Sequence, residues 1–163
     1  MPIQIEPAVP PGWPFVELRQ SLASRGDITP AVDHLMGFIK PLIDESHTED
    51  GTEIHIEIAV REALANAVIH GNRENADKRV HVTCRCSLDG ELKLTIRDEG
   101  AGFDANAVPD PTDQDRLLRT HGRGIRLMQA LMDEVAFQHN GTVVCMSKAL
   151  RTPSDRNSGH QSG

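Results

Sequence analysis

The stretch from Arg79 to Arg97 constrains the fold more than any other part of the chain. Val80, Val82, Cys84 and Cys86 alternate with His81, Thr83 and Arg85. After Asp89-Gly90 the alternation resumes, with Leu92, Leu94 and Ile96 set against Lys93, Thr95 and Arg97. A period of two is the side-chain repeat of a strand with one dry face. Asp-Gly is a strong hairpin signal, because both residues accept the left-handed backbone of a tight turn. A lone hairpin is marginal in water, so its apolar face needs a cover.

The cover is legible as three helical stripes. Val32, Leu35, Met36, Ile39 and Ile43 follow Thr29-Pro30, which reads as an N-cap followed by Pro in the first helical position. Pro41 is expected to kink or shorten the end of that helix. Ile56, Val60, Ala63, Ala67 and Val68 mark a longer helix over about 52–70, with Gly71-Asn72 as its stop. Ile125, Met128, Leu131 and Met132 mark a third. A second hairpin is predicted from Val135–His139, a turn at Asn140-Gly141, and Thr142–Lys148. Phe15–Leu22 alternates weakly and fits an edge strand or a short helix. The order predicts an α+β, two-layer sandwich: a mixed, mostly antiparallel sheet with helices on one face.

The chain has 163 residues, one domain's worth. The body is expected at 15–149, between a leader (1–14) with five prolines and a polar, flexible tail (150–163). With 24 acidic against 17 basic residues the net charge is −7, which argues against binding a nucleic-acid backbone. Aromatic residues are 3% with no Tyr, too few for a base-stacking platform. No apolar run reaches the ~18 residues of a membrane span. No secretory signal is visible and the three cysteines make no disulfide framework, so a reducing cytoplasm is expected.

Polar residues that break the pattern carry the chemistry. Asp98 continues the inward row of Leu92, Leu94 and Ile96, and a two-glycine loop, Glu99-Gly100-Ala101-Gly102, follows it. A carboxylate there suits a flat heterocycle with an exocyclic amine, or simply caps a tight turn. Glu62 and Asn66 share a helix face among small alanines. Their oxygens suit Mg²⁺, and a Glu can take a proton from a hydroxyl nucleophile; a single Glu-x-x-x-Asn is more often a chance pair on a solvated helix face. Gly122-Arg123-Gly124 precedes a helix and fits an anion site or a loose loop end. Thr142 shares parity with Val144 and Met146, which aims its hydroxyl toward the interior that Asp98 faces. Cys84 and Cys86 read as core packing. His70 reads as packing at a helix end, and Arg116, Arg119 and Arg123 as solvated residues of a loop over 103–121.

Together these segments resemble the nucleotide-binding boxes of the GHKL, or Bergerat-fold, ATPase superfamily. Glu62-Ala-Leu-Ala-Asn66-Ala-Val-Ile-His70-Gly is similar to the N-box, Asp98-Glu-Gly100-Ala-Gly102-Phe-Asp to the G1 box, and Gly122-Arg-Gly124-Ile-Arg-Leu-Met to the G2 box. Asn140-Gly141-Thr142 stands where that superfamily places its last nucleotide-contacting Thr. The run over 122–135 resembles most the bacterial anti-sigma factors that are also serine/threonine protein kinases. The resemblance implies ATP and Mg²⁺ as cofactors. Asp98 would accept from the adenine amine, Asn66 would hold the metal, and Glu62 would be the catalytic base. Gly100 and Gly102 would shape the adenine loop. Gly122, Arg123, Gly124 and Thr142 would complete the nucleotide site beneath a lid at 103–121. It also implies two protein partners, a sigma factor and a STAS-type anti-anti-sigma substrate, and a homodimer. The alternatives are a non-catalytic, nucleotide-gated binding module and the ATP-binding fragment of a sensor histidine kinase.

Overall fold

The computed structural model describes residues 15–44, 47, 50–102 and 123–150. The leader, the lid loop, Gly122, His121 and the tail from 151 onward lie outside the described residues.

Five strands form one sheet: β1 (Phe15–Ala23), β2 (Arg79–Ser87), β3 (Glu91–Arg97), β4 (Glu134–Gln138) and β5 (Val143–Ala149). Their order is β1-β2-β3-β5-β4, and all four pairs are antiparallel. Among the described strands there is no parallel pair, so the expected mostly antiparallel sheet is antiparallel throughout. Phe15–Ala23 is a strand. It pairs with β2 along its whole length, from Phe15 opposite Ser87 to Ala23 opposite Arg79.

The helices are α1 (Thr29–Ile39), α2 (Thr52–Ala65) and α3, described over 123–131. Thr29 is not the cap of α1 but its first residue; the Asp27 carboxylate accepts the Thr29 amide at 2.8 Å. Asp50 does the same for Thr52 at the start of α2 (3.1 Å). Both carboxyl groups are held below their ordinary range, Asp27 chiefly by the Thr29 amide and Asp50 chiefly by the Thr52 hydroxyl, which also donates to it. Pro41 ends α1 as predicted, and the chain tightens into a 3₁₀ turn at Lys40–Leu42.

The inward rows behave as the alternation requires. Val80, Val82, Cys84 and Cys86 on β2 and Leu92, Leu94 and Ile96 on β3 are buried in one cluster with Leu35, Ile39, Ile56, Val60, Leu64 and Met128 from the three helices. Each such side chain contributes about 1.5–3 kcal/mol. Burial pushes the Cys84 thiol far above its ordinary range, reinforced by Cys86 and Glu17, so it packs as an inert apolar group. The opposite face is polar: Glu17 bridges Arg19 and Arg85, and Arg85 lies over the Phe15 ring.

Two backbone features differ from expectation. The long helix does not remain α to its end; Asn66–Gly71 is a π-helical segment. The stop is not a left-handed Gly71-Asn72 either, since Asn72 has φ −87° and the left-handed residues are Arg73 and Glu74. The widened turn lengthens the reach of the closing bonds: Asn72 N–H goes back five residues to Ala67 O (2.8 Å) and Glu74 N–H six residues to Val68 O (2.8 Å). The β4–β5 turn is also longer than the two residues expected. His139, Asn140 and Gly141 are all left-handed and Thr142 belongs to the loop.

Candidate active site

A cavity of about 360 Å³ opens between the π segment, the end of β3 and the N-terminal part of α3. Asn66, Asp98, Gly102 and Thr142 line it together with apolar Ile96, Ile125, Met128 and Val144. Four of the predicted site residues, distant in sequence, therefore meet around one hollow.

Asp98 reaches it because the β3–β5 ladder runs one pair beyond the strands: Asp98 N–H donates to Thr142 O at 2.9 Å. Its carboxylate is half-buried and accepts the Gly100 amide at 2.8 Å. Desolvation raises its pKa, opposed by that bond and by Lys78. A second carboxylate oxygen is left for a donor arriving in the cavity.

The glycines are needed for closeness. A Cβ on Gly71 would lie 2.3 Å from Asp98 Oδ2, and one on Gly100 would lie 2.0 Å from the Gly71 carbonyl oxygen. No larger residue fits where the helix end, the loop and the carboxylate are stacked. Gly102 is left-handed, with Asn140 O against it. Gly100 shapes this loop from behind and is not itself part of the cavity wall.

Gly124, in the described first turn of α3, connects the remaining elements. A Cβ there would stand 2.8 Å from Glu62 Oε2 and 3.3 Å from Asn66 Nδ2. Glu62 and Asn66 thus both face α3, as their i, i+4 spacing predicts; of the two, Asn66 lines the cavity and Glu62 does not. Arg123 is exposed and does not line the cavity. The Thr142 hydroxyl donates to His139 O at 2.8 Å, within its own loop. Among the described residues no cluster of three or more His, Cys, Asp or Glu gathers. A cation here would take only oxygen ligands from Asn66 and Glu62 and fill its shell with water and ligand oxygens, the habit of Mg²⁺.

Sequence reasoning missed four contributors to the wall. Arg73 lines the cavity from a left-handed position, and Ile69 and Phe137 are exposed apolar residues at its rim. His70, read as packing, also lines it. Only the π turn explains Ile69 and Arg73, and a regular helical stripe carries no signal for it.

A model of the histidine kinase-like ATPase domain matches residues 29–148. The chain belongs to this family. The match encloses all three boxes and every described wall residue. Within the family the chain falls in the anti-sigma, serine-protein kinase branch. It is 37% identical over 97 residues to an anti-sigma F factor of Heyndrickxia coagulans, covering 56% of this chain and 65% of that protein. It is 33% identical over 111 residues to serine-protein kinase RsbW of Staphylococcus aureus strain JH9, covering 64% and 70%. RsbW of Staphylococcus epidermidis is 32% identical over the same length. The chain thus spans just under two thirds of the anti-sigma F factor and slightly more of the RsbW proteins. Membership of an ATPase family supports use of ATP by this chain. Among the described residues no helix is long and apolar enough to cross a membrane.

Proposed function

We propose that this chain is an ATP-dependent serine/threonine protein kinase that phosphorylates a STAS-type anti-anti-sigma partner and, as a homodimer in the cytoplasm, holds a sigma factor inactive. The observation that carries this reading is the meeting of Asn66, Asp98, Gly102 and Thr142 around one cavity, with Gly124 of α3 close against Asn66 and Glu62. The names of the relatives support the partner classes.

In this reading Asp98 accepts from the adenine amine, with Gly100 and Gly102 shaping the loop beside it and Thr142 next to it at the end of the ladder. Asn66 holds Mg²⁺, which supplies charge neutralisation at the phosphates when bound. Arg123 and Gly124 in the described first turn of α3, together with Gly122 before them in the sequence, receive the triphosphate. The partner's hydroxyl oxygen bonds to the γ-phosphorus as the bond to the ADP oxygen breaks, and Glu62 takes the hydroxyl proton. Phosphoryl transfer depends mostly on position and charge, so the base is one contributor among several.

The test is transfer of label from γ-labelled ATP to an anti-anti-sigma protein. The wild type is expected to label a serine or threonine. Glu62→Gln is expected to slow transfer about 100-fold or more while ATP still binds. A partner that binds but takes no label in the wild type would establish the nucleotide-gated module instead. For the metal, Asn66→Ala is expected to lower ATP affinity in Mg²⁺ to the level measured in EDTA. Its melting temperature should stay close to wild type, since no described hydrogen bond of the fold depends on that side chain. Equal wild-type affinity with and without Mg²⁺ would remove the role.

A further inference from the structure

Asn72 is 1% exposed, and its side chain ties together three separate parts of the chain. Its Nδ2 donates to Ser24 Oγ, just past β1, and to Arg79 O at 2.9 Å, where β2 begins. Its Oδ1 accepts the Glu99 N–H at 2.7 Å. The amide orientation is fixed by its partners: only the nitrogen can face a carbonyl, and only the oxygen can face an N–H.

The third bond lies directly behind the cavity. Three consecutive amides of the loop are committed to three different acceptors: Asp98 N–H to Thr142 O, Glu99 N–H to Asn72 Oδ1, and Gly100 N–H to Asp98 Oδ1. The first belongs to the sheet and the last to Asp98 itself. Only the middle one comes from the helix side. The residue before Asn72 is Gly71, whose Cα packs against the Asp98 carboxylate and whose carbonyl packs against Gly100. One step of chain therefore presses on the carboxylate from the front and holds its backbone from behind. Glu99 adds a second tie, accepting Arg79 N–H at 2.8 Å and facing His81 Nε2 at 3.1 Å.

We propose that Asn72 is a positioning residue for base recognition: through the Glu99 N–H it fixes the direction in which Asp98 presents its free oxygen, and so sets the preference for a 6-amino purine. This rests on the reading of the cavity as an ATP site. A merely structural role would lower stability and weaken every nucleotide alike. A positioning role weakens only the nucleotide whose base amine Asp98 must meet.

The experiment is calorimetric titration of the full chain with ATP and with inosine triphosphate, which carries an oxo group in place of the amine. The proteins compared are wild type, Asn72→Ala, Asn72→Asp, Ser24→Ala, Asp98→Asn and the double variant with Asn72→Ala. The wild type is expected to prefer ATP at least tenfold. Asn72→Ala is expected to lose about tenfold in ATP affinity and less than twofold for inosine triphosphate. Asn72→Asp keeps the accepting oxygen and is expected to keep the preference, which tests the idea even if Asn72→Ala does not fold. Ser24→Ala, which breaks the same hub away from Glu99, is expected to lower the melting temperature and keep the preference. Asn72→Ala is expected to add nothing in the Asp98→Asn background. Equal loss for both nucleotides, loss of preference in Asn72→Asp, or additivity with Asp98→Asn overturns the proposal. A wild type that binds ATP without preferring it overturns the role given to Asp98 and this inference with it. A wild type that binds neither nucleotide overturns the ATP site itself.

Discussion

Replacing Gly100 by Ala is expected to abolish measurable ATP binding, a loss of more than about 100-fold, in a chain that still folds. The added Cβ would stand 2.0 Å from the Gly71 carbonyl oxygen and 2.7 Å from its carbon. Both are backbone atoms, and neither can step aside as a flexible side-chain tip would. The Gly71 end of the π segment is itself fixed, because Asn72 is bonded to Ser24, Arg79 and Glu99. The strain is therefore relieved by the loop, which carries Asp98 away from its place, since Gly100 N–H and Asp98 Oδ1 are bonded to each other. Overpacking of this kind costs about 1–3 kcal/mol of stability, less than a domain of this size holds. Gly37 supplies the contrast. It lies in α1, exposed, with nothing within 4 Å of an added Cβ. Gly37→Ala is expected to leave ATP binding unchanged and to stabilise by about 0.5–1 kcal/mol through helix propensity. Calorimetric titration with ATP and thermal melting of the two variants check both halves. Retained ATP affinity in Gly100→Ala would show that the tight stack at Gly71 is not needed for recognition.

What could be read in the sequence followed from periodicity. The alternation over Arg79–Arg97 specified β2, β3 and their shared inward face, and it placed Asp98 correctly because register carries parity one residue past the strand end. The i, i+4 spacing put Glu62 and Asn66 on one face, and Gly124 lies against both. Features produced by departures from periodicity were not legible. The π turn at Asn66–Gly71 moves Ile69 and Arg73 to the cavity, and no local residue choice announces it. Arg73 and Glu74 take the left-handed conformation expected at Gly71-Asn72, because Gly71 is small for a different reason: the carboxylate against it. Asn72 looked like a helix stop and is a buried hub, since its partners come from three distant segments. The same limit explains Glu62. Spacing gives a shared face, but only tertiary packing decides that Asn66 lines the cavity and Glu62 does not.

Asp98→Asn is expected to lower ATP affinity about 100-fold and to leave the fold at least as stable at neutral pH. The affinity loss follows from replacing an ionised acceptor in an apolar wall by a neutral one, where a hydrogen bond to a charge is worth about 1.5–3 kcal/mol. The amide can also turn its NH₂ toward the base amine and present donor against donor. The stability half follows from the sign of the pKa shift. Burial raises the Asp98 carboxyl, so the folded chain binds that proton more tightly than the unfolded chain does. Ionised Asp98 thus subtracts from stability above its folded pKa, and the penalty fades as pH falls through the raised value toward the ordinary one. Asn keeps the shape and the oxygen that accepts from Gly100 without the charge. The variant should therefore melt no lower than wild type at pH 7, and the wild type should gain on it as the pH is lowered toward 4. The wild type's ATP affinity should fall over the same window, as protonation removes the acceptor. Melting curves and titrations of both proteins across pH 4–8 measure this directly. A variant that melts well below wild type at neutral pH would mean that Asp98 serves the fold, as the cap of a tight turn, and a matched ATP affinity would mean that it does not meet the base.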